Sequence, residues 1–240
     1  MNKKHIVFRV VVATCCVVAL CGFGLYGLIA FAAPMGNVNF TKGSYDGDRW
    51  GSEFYVDKQN STTYCMHPGW ESPDEGTYST TKLTKSDVEG HMSGSGNNGV
   101  LKGNWHDFCL VLYYGYGGKG YNASEFSSHV GSSFKFRCGA GPSFSGSAHD
   151  AYLVTHFFLG LSYGHIWGTG DNPPQWQYYK TYYDSWIAWA RQKAVSDNLD
   201  VDKLELYQFS QSGRQTMVSF VTQDVPSSSG YASVVKKSSM

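Results

Sequence analysis

The stretch TTYCMHPG at residues 62–69 has a Ser- and Thr-rich approach to a single cysteine, Cys65. Short alternating segments such as SEFYV at residues 52–56 come before it. Alternation of apolar and polar residues, interrupted by turn-forming residues, is typical of β-strands with loops between them. We therefore predict β-strands over residues 36–64, leading directly to Cys65.

The middle of the chain has the periodicity of helices. Ser147 and Asp150 form an S-x-x-D capping box before an apolar stripe, and Gly164 follows as a C-terminal cap. The stripe recurs every four residues, at Leu153, Phe157 and Leu161. A second helix is predicted from about residue 173 to residue 194, with a Tyr and Trp stripe that we interpret as core.

The C-terminal part predicts a β-hairpin. The segments LELYQF at 204–209 and RQTMVSFV at 214–221 alternate, and QSG at 211–213 supplies the turn. Gln215 would lie near the start of the second strand. Strands, then helices, then strands indicate an α+β protein.

The two ends of the chain are predicted to lie outside the folded domain. A basic start, an apolar run and an A-x-A site predict a cleaved signal peptide over residues 1–33, with a retained membrane anchor as the alternative. The Ser-rich segment after residue 225 is predicted to be a linker, followed from residue 230 by a strand pattern that stops at the terminus. We expect a domain over residues 34–225, and a linker with the beginning of a further repeat over 226–240.

Charge excludes some partners. Loss of Lys3, Lys4 and Arg9 with the signal leaves 16 basic against 19 acidic residues, a net charge of −3. Such a mild balance predicts neither nucleic-acid binding nor electrostatic membrane binding by the mature domain. The motifs and spacings indicate no metal, nucleotide or other cofactor site.

Removal of the signal leaves three cysteines, Cys65, Cys109 and Cys138, an odd number for an exported protein. A leftover thiol in a secreted protein needs an explanation. From the residues alone, Cys65 could be a buried inert thiol, a nucleophile, or a cysteine already bonded to a group other than sulfur.

Four blocks of the chain resemble the thioester domains of Gram-positive surface adhesins, particularly those that precede VaFE-type or collagen-adhesin B-type stalk repeats. The resemblance covers residues 37–223. Its blocks are YCMHPGWESP at 64–73 with GTY at 76–78, LYYGYGG at 112–118, YLVTHF at 152–157, and RQTMV at 214–218. The chain departs from the usual pattern at Arg214, which replaces a hydrophobic residue, and at His156, which replaces a glutamine.

The resemblance implies a specific fold and a specific linkage. The fold would be a mixed β-sandwich or barrel-like sheet core with an inserted helical subdomain. The thiol of Cys65 would be joined to the side chain of Gln215 in an internal thioester. Gln208, Gln211 and Gln223 are the competing glutamines, but only Gln215 has two hydrophobic residues at the right offsets.

The resemblance also implies a function. The thioester would acylate an amine, a lysine on a host surface or matrix protein, in a single covalent event and not in a catalytic cycle. His67 and His156 are candidate bases, since imidazole titrates near neutral pH, and Tyr64 is a candidate pocket residue. Cys109 and Cys138 would then pair in a disulfide. We expect a secreted monomer at the bacterial cell surface.

Two other function classes stay open. The first is a secreted cysteine hydrolase or peptidase with Cys65 as nucleophile, although no recognisable helix-borne cysteine motif is present. The second is a non-covalent glycan- or protein-binding β-domain, whose contacts would be Trp50, Trp70 or Trp105.

Overall fold

The computed structural model describes residues 36–56, 61–67, 71–93, 101–165 and 175–220. An antiparallel sheet of seven strands curls into a half-barrel, and helices cover it. Strands come first along the chain, helices follow, and a final pair of strands closes the sheet. The α+β prediction and the predicted order of elements are therefore confirmed.

The sheet combines strands from the N-terminal part of the domain with strands from its C-terminal part. Its strands are β1 (Asn37–Asp46), β2 (Gly51–Val56), β3 (Ser61–Cys65), β4 (Gly76–Ser79), β5 (Thr81–Leu83), β8 (Leu206–Phe209) and β9 (Met217–Phe220), and a separate ribbon pairs β6 (Met92–Ser93) with β7 (Leu101–Lys102). The spatial order is β4-β1-β2-β3-β9-β8-β5, with every pairing antiparallel. Strand β3 thus lies beside β9, and Cys65 is opposite Met217.

The two faces of the sheet are buried in different clusters. One face carries a small apolar cluster made of Val38, Phe40, Phe54, Val56, Cys65, Tyr207, Phe209 and Met217. The other face turns Tyr64, Leu83, Leu206 and Val218 toward the helices. Because side chains alternate along a strand, the neighbours Tyr64 and Cys65 belong to different clusters.

The helical layer contains five α-helices in the described residues. They are α1 (Lys85–Glu89), α2 (Trp105–Tyr114), α3 (Ala123–Val130), α4 (Ala148–Ser162) and α5 (Gln175–Ser196). The sequence analysis missed α1, α2 and α3. Helix α2 is buried along most of its length, at Trp105 and from Asp107 through Leu112, and so lacks the polar face that marks an amphipathic helix.

Helix α4 begins and ends where the sequence predicted. Ser147 caps it by accepting a hydrogen bond from the Asp150 backbone N–H at 3.1 Å, and Gly164 follows with φ +83°. The reciprocal half of the capping box does not form. The Asp150 carboxylate instead accepts hydrogen bonds from Ser145 and from Arg49 Nε, the latter at 2.6 Å, because burial requires that this charge be paired.

Helix α5 confirms the predicted aromatic core. Tyr179, Tyr183, Trp186 and Ala190 are buried on the side that faces α2 and α4. The predicted start at residues 173–174 lies outside the described residues. The helix continues two residues beyond the predicted end at residue 194.

The structure joins neither Cys109 nor Cys138 in a disulfide, which differs from the pairing that the resemblance implies. Cys109 is fully buried in α2, and the nearby acidic group is Asp202 of the 3₁₀ turn Val201–Lys203. The Cys138 sulfur lies 3.8 Å from the carbonyl oxygen of Gln175, at the start of α5. The two thiols thus have different surroundings in the helical layer.

Several predictions fall on residues outside the described ranges. These are the signal peptide at 1–33, the linker and repeat at 226–240, and most of the loop at 89–99. Within the described ranges, no helix has the length and apolar character needed to cross a membrane.

Candidate functional site

A cavity of about 620 Å³ opens beside Cys65, at the C-terminal end of strand β3, where three loops meet helices α4 and α5. Its walls come from the β1–β2 hairpin, from the loop that follows Cys65, and from the β8–β9 loop. Three side chains predicted for the site line it, namely Cys65, His156 and Gln215. Aromatic rings and charged groups line it as well, among them Trp50, Phe54, Phe157, Tyr179, Lys42, Glu71 and Arg214.

Cys65 is the last residue of β3 and is 1% exposed. Its sulfur lies 2.8 Å from Nε2 of His156. Burial raises the pKa of the Cys65 thiol far above its usual range, and a hydrogen bond from the His67 backbone only partly opposes this shift. The thiol is therefore protonated at rest, and it becomes nucleophilic only when a base takes its proton.

His156 is the residue placed to take that proton. It is 7% exposed, and burial lowers the pKa of its imidazole to about 4, so the ring is neutral at pH 7. The rings of Phe54 and Tyr64 lie 5.8 and 6.1 Å away, measured between centroids. A neutral imidazole beside a protonated thiol is a base in the correct protonation state.

Tyr152 sets the position of His156, one helical turn away on the same face of α4. The Tyr152 hydroxyl donates to the carbonyl oxygen of Thr63 at 2.7 Å and accepts from the Phe54 backbone N–H at 3.0 Å. These bonds attach α4 to strands β2 and β3. The helix therefore delivers His156 to the end of β3, where Cys65 lies.

Gln215 is 2% exposed and lies in the β8–β9 loop, two residues before β9 and not in the strand as predicted. Its backbone N–H donates to the carbonyl oxygen of Glu71 at 3.0 Å. With the carboxamide oriented to satisfy both neighbours, its nitrogen donates to the His67 carbonyl oxygen at 2.8 Å and its oxygen accepts from the Ser72 backbone N–H at 3.1 Å. The backbone that follows Cys65 thus hydrogen-bonds both the nitrogen and the oxygen of this carboxamide.

His67 takes part through its backbone, and its ring lies elsewhere. The ring centroid is 5.0 Å from that of Tyr163, 5.2 Å from that of His165 and 5.4 Å from that of His91. Burial and the two neighbouring histidines lower the pKa of His67 to about 4. Of the two candidate bases, the structure brings the ring of His156 to the sulfur.

Tyr64 belongs to the core between the sheet and the helices. Its ring stacks on Tyr152 with centroids 4.7 Å apart, and its hydroxyl donates to the carbonyl oxygen of Tyr116. The Tyr116 backbone N–H in turn donates to Thr155 Oγ1 at 2.9 Å. Three of the sequence blocks singled out above therefore meet behind the cavity, where Tyr64 supports the strand that ends at Cys65.

The other residues considered from the sequence lie in varied places. Gln208 lies in β8 opposite Val218 of β9, and Gln211 lies on the β8–β9 loop, where it accepts a hydrogen bond from the Asp74 N–H. Trp50 is exposed and lines the cavity, Trp105 is buried in the core, and Trp70 and Gln223 are outside the described residues. The sequence analysis missed Ser72, whose contribution is a backbone N–H and is invisible in a side-chain pattern.

In the described residues, no group of three or more His, Cys, Asp or Glu side chains is arranged so that it could hold a metal ion. The cavity brings together a thiol, an imidazole and a carboxamide, and charged side chains line it as well.

Comparison with known proteins finds a structural similarity and no match in sequence. No family model matches the chain, and no curated protein sequence matches it. Among solved structures, the chain is similar to the N-terminal domain of the Streptococcus pyogenes pilus tip adhesin Cpa, with a TM-score of 0.39 and 13% sequence identity. The similarity covers 81% of this chain and 97% of that chain.

Proposed function

We propose that Cys65 and Gln215 form an internal thioester and that the domain uses it to acylate an amine on another protein. One observation carries this proposal: a buried thiol, a neutral imidazole 2.8 Å from it and a buried carboxamide line the same cavity. Burial of a glutamine side chain costs free energy unless its polar atoms form hydrogen bonds. Here the backbone of residues 67 and 72 satisfies the amide of Gln215.

Formation of the thioester needs no reagent beyond the side chains of Cys65, His156 and Gln215. His156 Nε2 takes the thiol proton, the Cys65 sulfur attacks the side-chain carbonyl carbon of Gln215, and the C–N bond breaks. The amide nitrogen leaves as ammonia after it receives the proton from the imidazolium. Amides are poor acyl donors, so the step depends on holding sulfur and carbon in near-attack contact. The β3–β9 pairing supports that contact, since Cys65 lies opposite Met217 and the Met66 N–H donates to Thr216 O at 2.9 Å.

The Ser72 backbone N–H would stabilise the transition state. It donates to the oxygen of the Gln215 carboxamide at 3.1 Å. When sulfur adds to the carbonyl carbon, this oxygen becomes negatively charged, and a preorganised donor in a buried site is worth more to that charge than to the neutral amide. Ser72 would therefore act through its main chain.

When the thioester reacts with an amine, the sulfur of Cys65 becomes the leaving group. A neutral amine attacks the acyl carbon, the carbon–sulfur bond breaks, and His156 moves the proton from the amine nitrogen to the departing sulfur. The products are an amide between the amine and residue 215 and the Cys65 thiol. The aromatic rings of Phe54, Phe157 and Tyr179 around the cavity limit access of bulk water, which would hydrolyse the bond.

The biological setting in this proposal is adhesion. Residues 1–33 would direct export, residues 34–225 would form the reactive domain, and residues 226–240 would lead to a stalk. The amine would belong to a lysine on a host surface or matrix protein, so that one reaction gives a permanent link between the bacterial surface and the host.

Intact mass of the freshly purified domain tests the linkage. The thioester predicts a mass lower by one ammonia than the sequence requires, and incubation with methylamine should add the mass of one methylamine. Cys65→Ala and Gln215→Glu should abolish both effects, whereas the matched control Cys138→Ser should retain them. A wild-type mass equal to that of the sequence would overturn the proposal.

The Cys65–His156 contact also favours a second candidate, a cysteine hydrolase in which water releases an acyl group from Cys65. Against it stands the burial of Cys65 in a cavity that the buried carboxamide of Gln215 also lines. Repeated turnover of an activated ester, abolished by Cys65→Ala and by His156→Gln but unchanged by Gln215→Glu, would identify this activity.

A further inference from the structure

The loop that follows Cys65 and the loop that carries Gln215 are tied together at Asp74, which lines the cavity. The Asp74 backbone N–H donates to Gln211 Oε1 at 2.7 Å, and Gln211 Nε2 donates to Asp74 Oδ2 at 3.0 Å. The Tyr78 hydroxyl donates to the Asp74 carbonyl oxygen at 2.7 Å and lies 3.2 Å from Gln211 Oε1. We call these three residues the Asp74–Gln211 clasp.

The clasp lies close to the reacting amide along both chain segments. Asp74 is two residues after Ser72, whose N–H binds the Gln215 oxygen, and Gln211 is four residues before Gln215. The turn between Gln211 and Gln215 is closed by the Arg214 N–H, which donates to the Gln211 carbonyl oxygen at 3.0 Å. Movement of Gln211 would therefore displace the segment that ends at Gln215.

Little else holds the tip of this turn. Ser212 and Gly213 are exposed, Gly213 has φ +75°, and a Cβ there would have nothing within 4 Å. The loops are also joined by the Gln215 N–H, which donates to the Glu71 carbonyl oxygen at 3.0 Å, and by ion pairs of Arg214 with Glu71 and, at 4.0 Å, with Asp74. The side chains of Glu71 and Asp74 are 80% and 64% exposed. Exposed ion pairs contribute little because water and salt screen them. The paired hydrogen bonds of the clasp are more directional.

We propose that Gln211 and Asp74 are positioning residues, which hold the Gln215 carbonyl carbon against Cys65 and the carbonyl oxygen against the Ser72 N–H; this inference rests on the proposed thioester. An amide reacts with a thiol only when the reacting atoms are held in near-attack geometry, so a small displacement far from the chemistry lowers the rate. The clasp would therefore determine how completely the thioester forms. It would contribute little to the stability of the domain.

Reversal of the hydrogen-bond polarity tests this role. Gln211→Glu places a carboxylate against that of Asp74 and should break the clasp. The double variant Gln211→Glu with Asp74→Asn restores a donor and acceptor pair of opposite polarity. Gln208→Glu is the matched control, because it adds the same charge on the neighbouring strand β8 outside the clasp.

Three measurements are made on each purified domain: the fraction that lacks one ammonia, the rate of reaction with methylamine, and the melting temperature. Gln211→Glu should lower the thioester fraction, and the methylamine rate of the remainder should fall about tenfold. The double variant should recover the wild-type fraction and rate, and Gln208→Glu should retain them. All four proteins should melt within a few degrees of one another.

The outcomes separate the two proposals. A Gln211→Glu variant with the wild-type fraction and rate would overturn the positioning role while leaving the thioester in place. A loss that the double variant does not recover would overturn it as well. A wild-type protein without the ammonia deficit would overturn the thioester, and the clasp inference would fall with it.

Discussion

Nε2 of His156 lies 2.8 Å from Sγ of Cys65, although the two residues are 91 positions apart in the sequence. One is in the middle of helix α4 and the other ends strand β3. Burial acts on them in opposite directions, raising the pKa of the thiol and lowering that of the imidazole to about 4. Both groups are therefore neutral at rest, which is the starting state that a proton transfer from sulfur to nitrogen requires.

Replacement of His156 by glutamine should slow thioester formation by about 10²- to 10⁴-fold, the usual contribution of a positioned general base. Glutamine can still hydrogen-bond the sulfur but cannot take its proton. The check is the thioester fraction by intact mass at fixed times after purification. His149→Gln is the control, since His149 lies on the same helix but binds Asp46 and Glu53. Equal fractions in both variants would exclude His156 as the base.

Acid should destabilise the domain between pH 6.5 and pH 4. The folded-state pKa values of His156 and His67 are about 4, below the 6.5 of an unperturbed histidine, so the unfolded chain binds more protons in this range. Their stabilising contribution is complete above pH 6.5 and is lost as the pH falls toward 4. For His156 alone the loss of unfolding free energy is about 3 kcal/mol.

Urea unfolding at pH 7, 5.5 and 4 measures this dependence. Carboxylates also contribute to acid unfolding, so the informative quantity is the difference between wild type and His156→Gln at each pH. That difference should shrink as the pH falls. A difference that stays constant from pH 7 to pH 4 would mean that His156 is not buried in its neutral form.

Tyr152→Phe should destabilise the fold by about 2–3 kcal/mol, because it leaves the buried Phe54 N–H and the Thr63 carbonyl oxygen without this partner. It should also lower the thioester fraction, since the lost bonds attach α4 to the sheet. Thermal unfolding and intact mass provide the two readings. Tyr45→Phe, at an exposed position on the cavity wall, is the control for thermal unfolding and should leave the melting temperature unchanged. A fully stable Tyr152→Phe protein would show that other contacts hold α4.

Thiol counting should distinguish the bonded from the unbonded state of Cys65. In a domain that starts after residue 33, unfolding in the presence of a thiol reagent should label Cys109 and Cys138 only. After methylamine treatment the same procedure should also label Cys65. A phosphine reductant, which does not attack a thioester as a thiol reductant would, should leave both counts unchanged, because Cys109 and Cys138 form no disulfide in the structure. A count that rises on reduction would restore the disulfide expected from the sequence.

Local patterns in the sequence predicted much of the fold. The alternation before Cys65, the Ser147 cap of α4 and the aromatic stripe of α5 all correspond to observed elements. Each depends on neighbours within a few residues. Helix α2 was missed because its burial on most sides removes the amphipathic signal.

Less of the candidate site could be predicted from the sequence. Cys65 and Gln215 could be named as candidates from their motifs, but the choice between His67 and His156 could not be made. His67 is two residues from Cys65, yet its ring packs with Tyr163, His91 and His165. His156 is far away in the chain, yet its ring reaches the sulfur.

By itself the sequence determined the strands that lead to Cys65 and the helices α4 and α5, since backbone periodicity and capping are short-range effects. Only the tertiary structure decided that β3 pairs with β9 and that α4 brings His156 to Cys65. Those outcomes depend on packing between segments that are distant in the chain. The Ser72 N–H and the Asp74–Gln211 clasp became visible for the same reason, because their roles follow from where two loops meet.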